Sequence, residues 1–294
     1  SSTVVLLAQL QGDILALLGR LAHAEEVLNK ALEGAKEANN PSIEAEILSS
    51  LADVSRKQGN SDVALARHKQ ALKHYISQGN AKWAARTYNN IGYLLRRKND
   101  RNKALEAYGE VEAILAQSKG NELLSSQITL ARALLDLGEV QRAREHAMDA
   151  HEATESMGDA ALHARAQAVL GRYYSKIEQS ELAMFHYTAA LEAMNEAGDL
   201  QALVEITILL GEVLHDAGRT EDAMEHYREA LVIAEANDLR MQIGELLTRL
   251  GGAAPDRQGR MEYLQRALSV FRELGARSRM KEVQMMVHRA VMGR

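Results

Sequence analysis

The sequence predicts an all-α protein built from repeated pairs of helices, and three observations support this. Only two prolines occur in 294 residues, and proline breaks helices. Aromatic residues make up 4% of the chain, which is poor material for the core of a β-sheet. Pairs of small or polar residues recur at steps of 38 to 41 residues, and a period of this length is typical of stacked helical repeats.

These pairs mark the ends of the repeats. Gly or Asn followed by Asn or Asp suits a left-handed helix C-cap that leads into the next N-cap. The pairs are Asn39-Asn40, Gly79-Asn80, Gly120-Asn121, Gly158-Asp159, Gly198-Asp199, Asn237-Asp238 and, with Ala in second place, Gly275-Ala276. A second turn is predicted inside the repeats, at Gly19, Gly59, Asn99, Gly138, Glu178 and Gly218. Each repeat is therefore predicted to be two helices of about four turns.

We expect a single domain over residues 1–294, with about seven helix pairs and a C-terminal capping helix. The pairs cover about 1–40, 41–80, 81–121, 122–159, 160–199, 200–238 and 239–276, and the cap covers 277–294. The seventh pair is irregular, because Gly251-Gly252 and Pro255 stand where the turn is expected. The cap is predicted to place Val283, Met286, Val287 and Ala290 on one face.

Two columns of residues support this division. In the first helix of each pair a large apolar residue precedes Ala or Gly, as in Leu170-Gly171 and Leu210-Gly211. In the second helix a small residue precedes a larger one by four positions, as in Ala223 and Tyr227. Small residues let two helices approach closely, which an antiparallel pair requires. Trp83 opens a first helix and is predicted to pack against the end of the preceding helix.

The sequence resembles the tetratricopeptide repeat family in these columns. The motif is carried by YNNIGYLL (88–95) with KALEAYGEV (103–111), by LGRYYS (170–175) with ELAMFHYTAAL (181–191), and by LGEVLHDAGRTEDAMEHYREAL (210–231). The period resembles the longer repeat of bacterial Rap- and MalT-like sensors, kinesin light chains and LGN-type adaptors. The resemblance implies an α-α superhelix, a right-handed solenoid whose concave groove is lined by the first helices.

Other classes of function lack their sequence signals. The net charge of −5 argues against direct nucleic-acid binding, and the absence of cysteine excludes disulfides and thiolate metal sites. None of the ten histidines forms HExxH, and neither a phosphate-binding GxxxxGK[ST] loop nor a GxSxG nucleophile motif occurs. We therefore expect no enzyme activity, cofactor, metal or membrane span. A cytoplasmic location is expected, and because the chain begins with Ser1 we expect a processed chain or a piece of a longer protein.

A second stripe on the first helices is predicted to face the groove and to carry the binding residues. It lies about 130° round from the core stripe at roughly 100° per residue. Over repeats two to five this stripe and the helix ends carry nine cations and three anions. The predicted partner-binding residues are Arg86, Asn89, Asn90, Tyr93, Arg96, Arg97, Ile128, Arg132, Arg165, Arg172 and Lys176.

Two functions of different kinds remain open. The first is a non-catalytic scaffold that binds a protein or peptide in the groove, as the sensor or adaptor part of a larger signalling or regulatory protein. Its arginines would pair with acidic side chains or a terminal carboxylate, and Tyr93 and Ile128 would supply apolar contact. The alternative is a self-assembling scaffold, in which apolar ends such as Val4, Leu6 and Leu7, or Met285 and Met286, stack on another copy. The arginines could instead bridge neighbouring repeats through Asp53, Asp136 or Glu212.

Overall fold

The structure, a computed structural model, describes residues 2–118 and 121–292. Within these residues it contains fifteen α-helices, one short 3-10 helix at Asn121–Leu123 and no strand. The helices are α1 (Ser2–Leu17), α2 (Leu21–Glu37), α3 (Pro41–Lys57), α4 (Ser61–Ser77), α5 (Ala81–Arg97), α6 (Arg101–Gln117), α7 (Leu124–Asp136), α8 (Val140–Glu155), α9 (Ala160–Lys176), α10 (Ser180–Ala197), α11 (Leu200–Asp216), α12 (Thr220–Ala236), α13 (Arg240–Ala253), α14 (Arg257–Glu273) and α15 (Arg277–Met292). Consecutive helices pack in pairs, which confirms the predicted all-α repeat fold.

The chain forms two compact units, Ser1–Ala133 (unit 1) and Leu134–Arg294 (unit 2). Unit 1 holds α1 to α6 and most of α7. Unit 2 holds the end of α7 and α8 to α15. Its core is continuous from Ala164 on α9 to Val283 on α15. The expectation of a single domain stays a prediction.

The turns occur at the residues predicted from the sequence. All six turns inside the repeats have a left-handed residue, including the non-glycine Asn99 and Glu178, each with φ of 60°. At the repeat ends, side chains such as Asn80 and Asp199 accept hydrogen bonds from the main-chain N–H three residues later. The pair Asn237-Asp238 is shifted, because the left-handed residue is Asp238 and Leu239 is the N-cap. Gly120 lies outside the described residues.

The structure confirms the predicted capping helix and its buried face, and it shows the geometry of the irregular seventh turn. After α13, Ala254 is extended, and Asp256 caps α14 by accepting a hydrogen bond of 2.8 Å from the N–H of Gly259. On α15, Val283 and Ala290 are buried, and Met286 and Val287 are partly buried. Helix α15 therefore covers the last pair, as expected of a cap.

Candidate functional site

The first helices of unit 1 line a cavity of about 340 Å³, here called the N-terminal cavity. Apart from Tyr75 of α4, every lining residue comes from α1, α3 or α5. The lining residues are Gln9, Asp13, Glu46, Ser49, Ser50, Asp53, Tyr75, Trp83, Arg86, Thr87 and Asn90. Arg86 and Asn90 were predicted as binding residues, and both line this cavity.

Aromatic rings form one wall of the N-terminal cavity. Trp83 stacks on Tyr75 with 5.9 Å between ring centroids and 17° between ring planes, which confirms that Trp83 packs against the preceding helix. The exposed guanidinium of Arg86 lies 4.9 Å from the centroid of the Trp83 ring. This cation–π contact orients Arg86 at the mouth of the cavity without neutralising its charge.

The acidic groups of the cavity change its expected charge. The lining contains three carboxylates, of Asp13, Glu46 and Asp53, and one guanidinium, of Arg86, so the cavity itself is not basic. Burial raises the pKa of the Asp13 carboxyl, and the nearby charge of Asp53 raises it further, while a hydrogen bond with Ser50 acts in the opposite direction. Sequence reasoning missed Asp13 because the charge count began at repeat two. The signal was present, since Asp13 stands forty residues before Asp53 in the same slot of the repeat.

Further along unit 1, three predicted residues form a cationic patch around one ring, here called the Tyr93 patch (Tyr93, Arg96 and Arg97). The guanidinium carbons of Arg96 and Arg97 lie 5.7 Å and 5.9 Å from the centroid of the Tyr93 ring. Arg97 also donates a hydrogen bond of 3.4 Å to the Tyr93 hydroxyl. On α7, Arg132 is exposed, and it has no ion-pair partner among the residues that the structure describes. Arg97 and Arg132 are therefore exposed cations on the first helices of unit 1.

The predicted exposure of Asn89 and Ile128 is wrong, because each is 3% exposed. The side-chain amide of Asn89 donates a hydrogen bond of 3.0 Å to the backbone carbonyl of Ser126, near the start of α7. This slot of the stripe therefore lies where one first helix meets the next, and Ile128 occupies the same slot in its repeat. Neither side chain is open to a ligand in this structure.

Unit 2 contains the remaining predicted cations. Arg165 and Lys176 are exposed on α9. Arg172 forms an ion pair of 2.9 Å with Asp136, so this arginine does bridge neighbouring first helices. In repeat six this face carries acidic residues, because Glu212 and Asp216 line a second cavity of about 390 Å³ together with Arg249. Glu212 pairs with Arg249 in the same way that Asp136 pairs with Arg172.

Two general features bear on the kind of ligand. Within residues 2–118 and 121–292, no group of His, Asp and Glu side chains has the geometry to hold a metal ion. No helix in the same ranges is both long and apolar enough to cross a membrane.

The chain belongs to the tetratricopeptide repeat family. That family matches residues 4–77 and 43–117, and a second profile of the same repeat matches residues 124–147 and 204–229. The matches extend over both units. The sequence matches no curated protein.

Solved structures share the fold at low sequence identity. The apo form of the quorum sensor NprR from B. thuringiensis is 15% identical, with a TM-score of 0.68 over 99% of this chain and 83% of that chain. The Rap conjugation gene regulator of plasmid pLS20, in complex with the Phr* peptide, is 15% identical, with a TM-score of 0.63 over 88% of this chain and 75% of that chain. BtubC from P. vanneervenii is 22% identical, with a TM-score of 0.61 over 74% of this chain and 92% of that chain.

Proposed function

We propose that this protein is a non-catalytic scaffold that binds a peptide or protein segment on the faces formed by its first helices. The observation that carries the proposal is the set of cations left exposed on those faces, of which Arg86 and Arg132 lie in unit 1. Exposed arginines in the middle of helices are not explained by helix-end electrostatics, which act only within the last turn. They suit the bidentate binding of carboxylates.

The fold supports a peptide as the partner. The Rap regulator of pLS20 is bound to a peptide in its structure, and NprR is a quorum sensor. By analogy, we propose that this chain is the sensor or adaptor part of a larger regulatory protein in the cytoplasm. Fold-level analogy does not identify the ligand, so the ligand chemistry is argued from the side chains.

The side chains point to a partner with acidic residues or a free C-terminal carboxylate. In unit 1 the binding residues are Arg86, Asn90, Arg132 and the Tyr93 patch. In unit 2 they are Arg165, Arg172 and Lys176. A carboxylate that reaches the Tyr93 patch would meet two guanidinium groups, and the Tyr93 ring would cover adjacent apolar atoms of the ligand. Arg172 would bind the ligand and keep its ion pair with Asp136.

The test uses three short peptides that share a Gly-Ser background and carry four Glu, four Lys or no charge. Binding is followed by the fluorescence anisotropy of a label on each peptide. Trp83 provides a second signal, because it is the only tryptophan of the chain and it lines the N-terminal cavity. We expect the Glu peptide to bind, and its affinity to fall as salt is raised, since exposed charges are screened over roughly 8 Å at physiological ionic strength.

Arg132→Glu should weaken this binding by about tenfold to a hundredfold, the equivalent of one charged hydrogen bond of about 1.5–3 kcal/mol. Lys73→Glu is the matched control, because it makes the same charge change at an exposed position of α4. Circular dichroism checks that both variants are folded. Equal binding of the Glu and uncharged peptides, or unchanged affinity in folded Arg132→Glu, would reject the proposal.

A specific observation favours self-association as a second candidate function. Helix α1 exposes an apolar stripe in which Leu7, Leu10, Ile14 and Leu17 are 62%, 56%, 47% and 80% exposed. The positions forty residues after Leu7 and Ile14 are Ile47 and Val54, which are at most 1% exposed. Leu7 and Ile14 therefore occupy the repeat positions through which α3 packs on preceding helices.

The proposed occupant of this stripe is α1 of a second copy. Leu7, Leu10, Ile14 and Leu17 have the spacing of a coiled-coil seam, and such a seam is self-complementary across a two-fold axis. The only charged residue of α1, Asp13, lines the N-terminal cavity, so the stripe carries no charge to oppose the pairing.

Sedimentation equilibrium over a range of protein concentrations tests this candidate. We expect a reversible dimer, which Leu10→Glu shifts to monomer and Leu182→Glu does not. Leu182 is an exposed leucine of α10, 42% accessible, outside the stripe. A wild-type protein that stays monomeric at every concentration, or a dimer that survives Leu10→Glu, would reject it.

A further inference from the structure

Three histidines from three helices of unit 2 form a cluster with hydrogen-bonded partners, here called the histidine relay (His151, His163, His186, Thr154 and Gln167). The His151 and His163 rings stack at 4.9 Å between centroids, and the His186 ring meets His151 edge-on at 6.0 Å. Sequence reasoning missed this cluster because it compared histidine spacings only within single helices. The relay joins α8, at the end of repeat four, to both helices of repeat five.

Hydrogen bonds define a direction along the relay. The Thr154 hydroxyl donates its only proton to the carbonyl of Ala150 at 2.8 Å, so the His163 Nδ1–H, at 3.1 Å, donates to the Thr154 oxygen. The Nε2 of His163 then accepts from the Gln167 side-chain amide at 3.3 Å. The Gln167 carbonyl oxygen accepts from Nδ1 of His186. In this arrangement every bond joins one donor to one acceptor.

Gln167 limits how many protons the relay holds. If His163 gains a proton, its Nε2–H faces the Gln167 amide, and the amide must turn to offer its oxygen. That oxygen is then lost to His186. The Gln167 side chain presents its oxygen to one ring and its NH2 group to the other, so it offers an acceptor to only one of His163 Nε2–H and His186 Nδ1–H at a time. With both rings doubly protonated, one of these hydrogen bonds must break.

The surroundings of the relay also oppose charge. Gln167 is 8% exposed and His186 is 9% exposed, and the His186 ring stacks on Tyr174 at 5.1 Å. Burial lowers the pKa of His186, and His151 lowers it further. Burial and His163 likewise lower the pKa of His151, against the opposing effect of Glu155 on α8. The uncharged Phe185 on α10 also contacts the His186 ring, edge-on at 5.3 Å.

We propose that the histidine relay is a proton-sensitive lock that holds α8, α9 and α10 together when its rings are neutral and loosens them on mild acidification. Folding lowers the pKa of His151 and of His186, so the unfolded chain binds more protons below about pH 6.5. The stability from the relay is complete above that pH and is lost as the pH falls. For each proton taken up on unfolding, the folding constant falls by up to about tenfold per pH unit.

The test compares urea unfolding between pH 5 and 8 for the wild type, Gln167→Glu and the control His226→Gln. His226 is on α12, in the same unit and outside the relay. A carboxylate at position 167 accepts from both rings at once, so Gln167→Glu should flatten or reverse the loss of stability on acidification. His226→Gln should keep the wild-type profile. A Gln167→Glu profile that matches the wild type would overturn the proposal.

A measurement on the unmodified protein covers the case in which Gln167→Glu does not fold. Nuclear magnetic resonance of the imidazole nitrogens reports the tautomers and the midpoints of titration. We expect His151 and His186 to titrate below a histidine in an unstructured peptide. Amide exchange corrected for intrinsic rates should accelerate in α8 to α10 at pH 5.5, and not in α12 to α14. Peptide-like midpoints, or uniform exchange in both regions, would overturn the proposal.

Discussion

Gly211 of α11 lies directly against the ring of Tyr227 of α12, so closely that a methyl group at Gly211 would overlap that ring. The same relationship recurs at 2.5 Å for Gly92 with Tyr108 and at 2.7 Å for Gly171 with Tyr187, measured from a hypothetical Cβ. The two residues of each pair are sixteen positions apart. The glycine of the first helix therefore leaves the space that the aromatic ring of the second helix fills. This glycine position is here called the glycine seat.

Gly211→Leu should destabilise unit 2, because the new side chain has no space beside the Tyr227 ring. Overpacking of this kind costs about 1–3 kcal/mol or more in the free energy of unfolding. Tyr227 is 2% exposed and is held in the core, so it cannot move aside at low cost. A urea melt measures the change.

Glu225→Ala is the control for this prediction, because Glu225 is exposed on α12. It should change the free energy of unfolding by less than about 0.5 kcal/mol. Similar losses in the two variants would contradict the packing argument.

In repeat two the glycine seat is occupied by Ala52, and His68 stands at the position of the tyrosine in repeats three, five and six. His68→Tyr alone should destabilise by about 1–3 kcal/mol, because the larger ring meets the Ala52 methyl. Ala52→Gly alone should cost about 1 kcal/mol in helix propensity. The double variant recreates the pairing of Gly211 with Tyr227, so it should lose less stability than the two single changes together.

A double-mutant cycle from urea melts measures this rescue, and the coupling energy should fall between about 0.5 and 3 kcal/mol. Ala52→Gly combined with Glu225→Ala is the control, since those positions are remote in sequence and should be additive. If the effects of Ala52→Gly and His68→Tyr on the free energy of unfolding simply add, the residues at positions 52 and 68 do not interact and the packing argument is wrong.

Most of the fold followed from the sequence because turns and close helix contacts have strong local requirements. A left-handed residue favours Gly or Asn, so the repeat ends were visible as pairs of these residues. The shift to Asp238 was not visible, because Asn237 and Asp238 both tolerate that conformation. The seventh turn contains Pro255 and an extended Ala254, whereas the six earlier turns inside the repeats have a left-handed residue.

The candidate site was less predictable because it depends on contacts between helices. A stripe drawn on one helix does not show where the next helix covers it, which is why Asn89 and Ile128 were expected to be exposed. It also does not show pairing, so Arg172 and Arg132 looked equivalent although only Arg172 contacts Asp136. The histidine relay combines residues from three helices that no single-helix spacing connects.

His68 predicts a pH dependence in unit 1. It is 1% exposed, and neither ring nitrogen has a hydrogen-bond partner in the described part of the chain. Burial lowers the pKa of His68 from 6.5 to about 4, against the attraction of Asp53. Because the unfolded chain gains a proton near pH 6.5 and the folded chain near pH 4, stability should fall as the pH is lowered through that window.

His68→Leu should flatten this dependence, because leucine has no group that titrates. The measurement is the free energy of unfolding at several pH values. His23→Gln is the control, since His23 is exposed on α2. If His68→Leu follows the wild-type profile between pH 4 and 6.5, the assigned burial of a neutral His68 is wrong.

Charge reversal at Arg172 and at Arg132 should have different effects on stability. Arg172→Glu removes the 2.9 Å ion pair and places a second carboxylate beside Asp136. Both side chains are partly buried, at 30% and 22% exposure, so screening is incomplete and the loss should be about 1 kcal/mol. Arg132→Glu should stay within about 0.5 kcal/mol of the wild type, because Arg132 is exposed and has no ion-pair partner among the described residues.

The double variant Arg172→Glu with Asp136→Arg restores opposite charges in exchanged positions, so it should recover part of the loss in a urea melt. Raising the salt concentration should shrink the difference between Arg172→Glu and the wild type, since both effects are electrostatic. Equal destabilisation by Arg132→Glu and Arg172→Glu would mean that Arg132 also has a structural partner. Arg132→Glu could not then separate a loss of binding from a loss of stability. The peptide experiment would have to use a substitution at Arg86 instead.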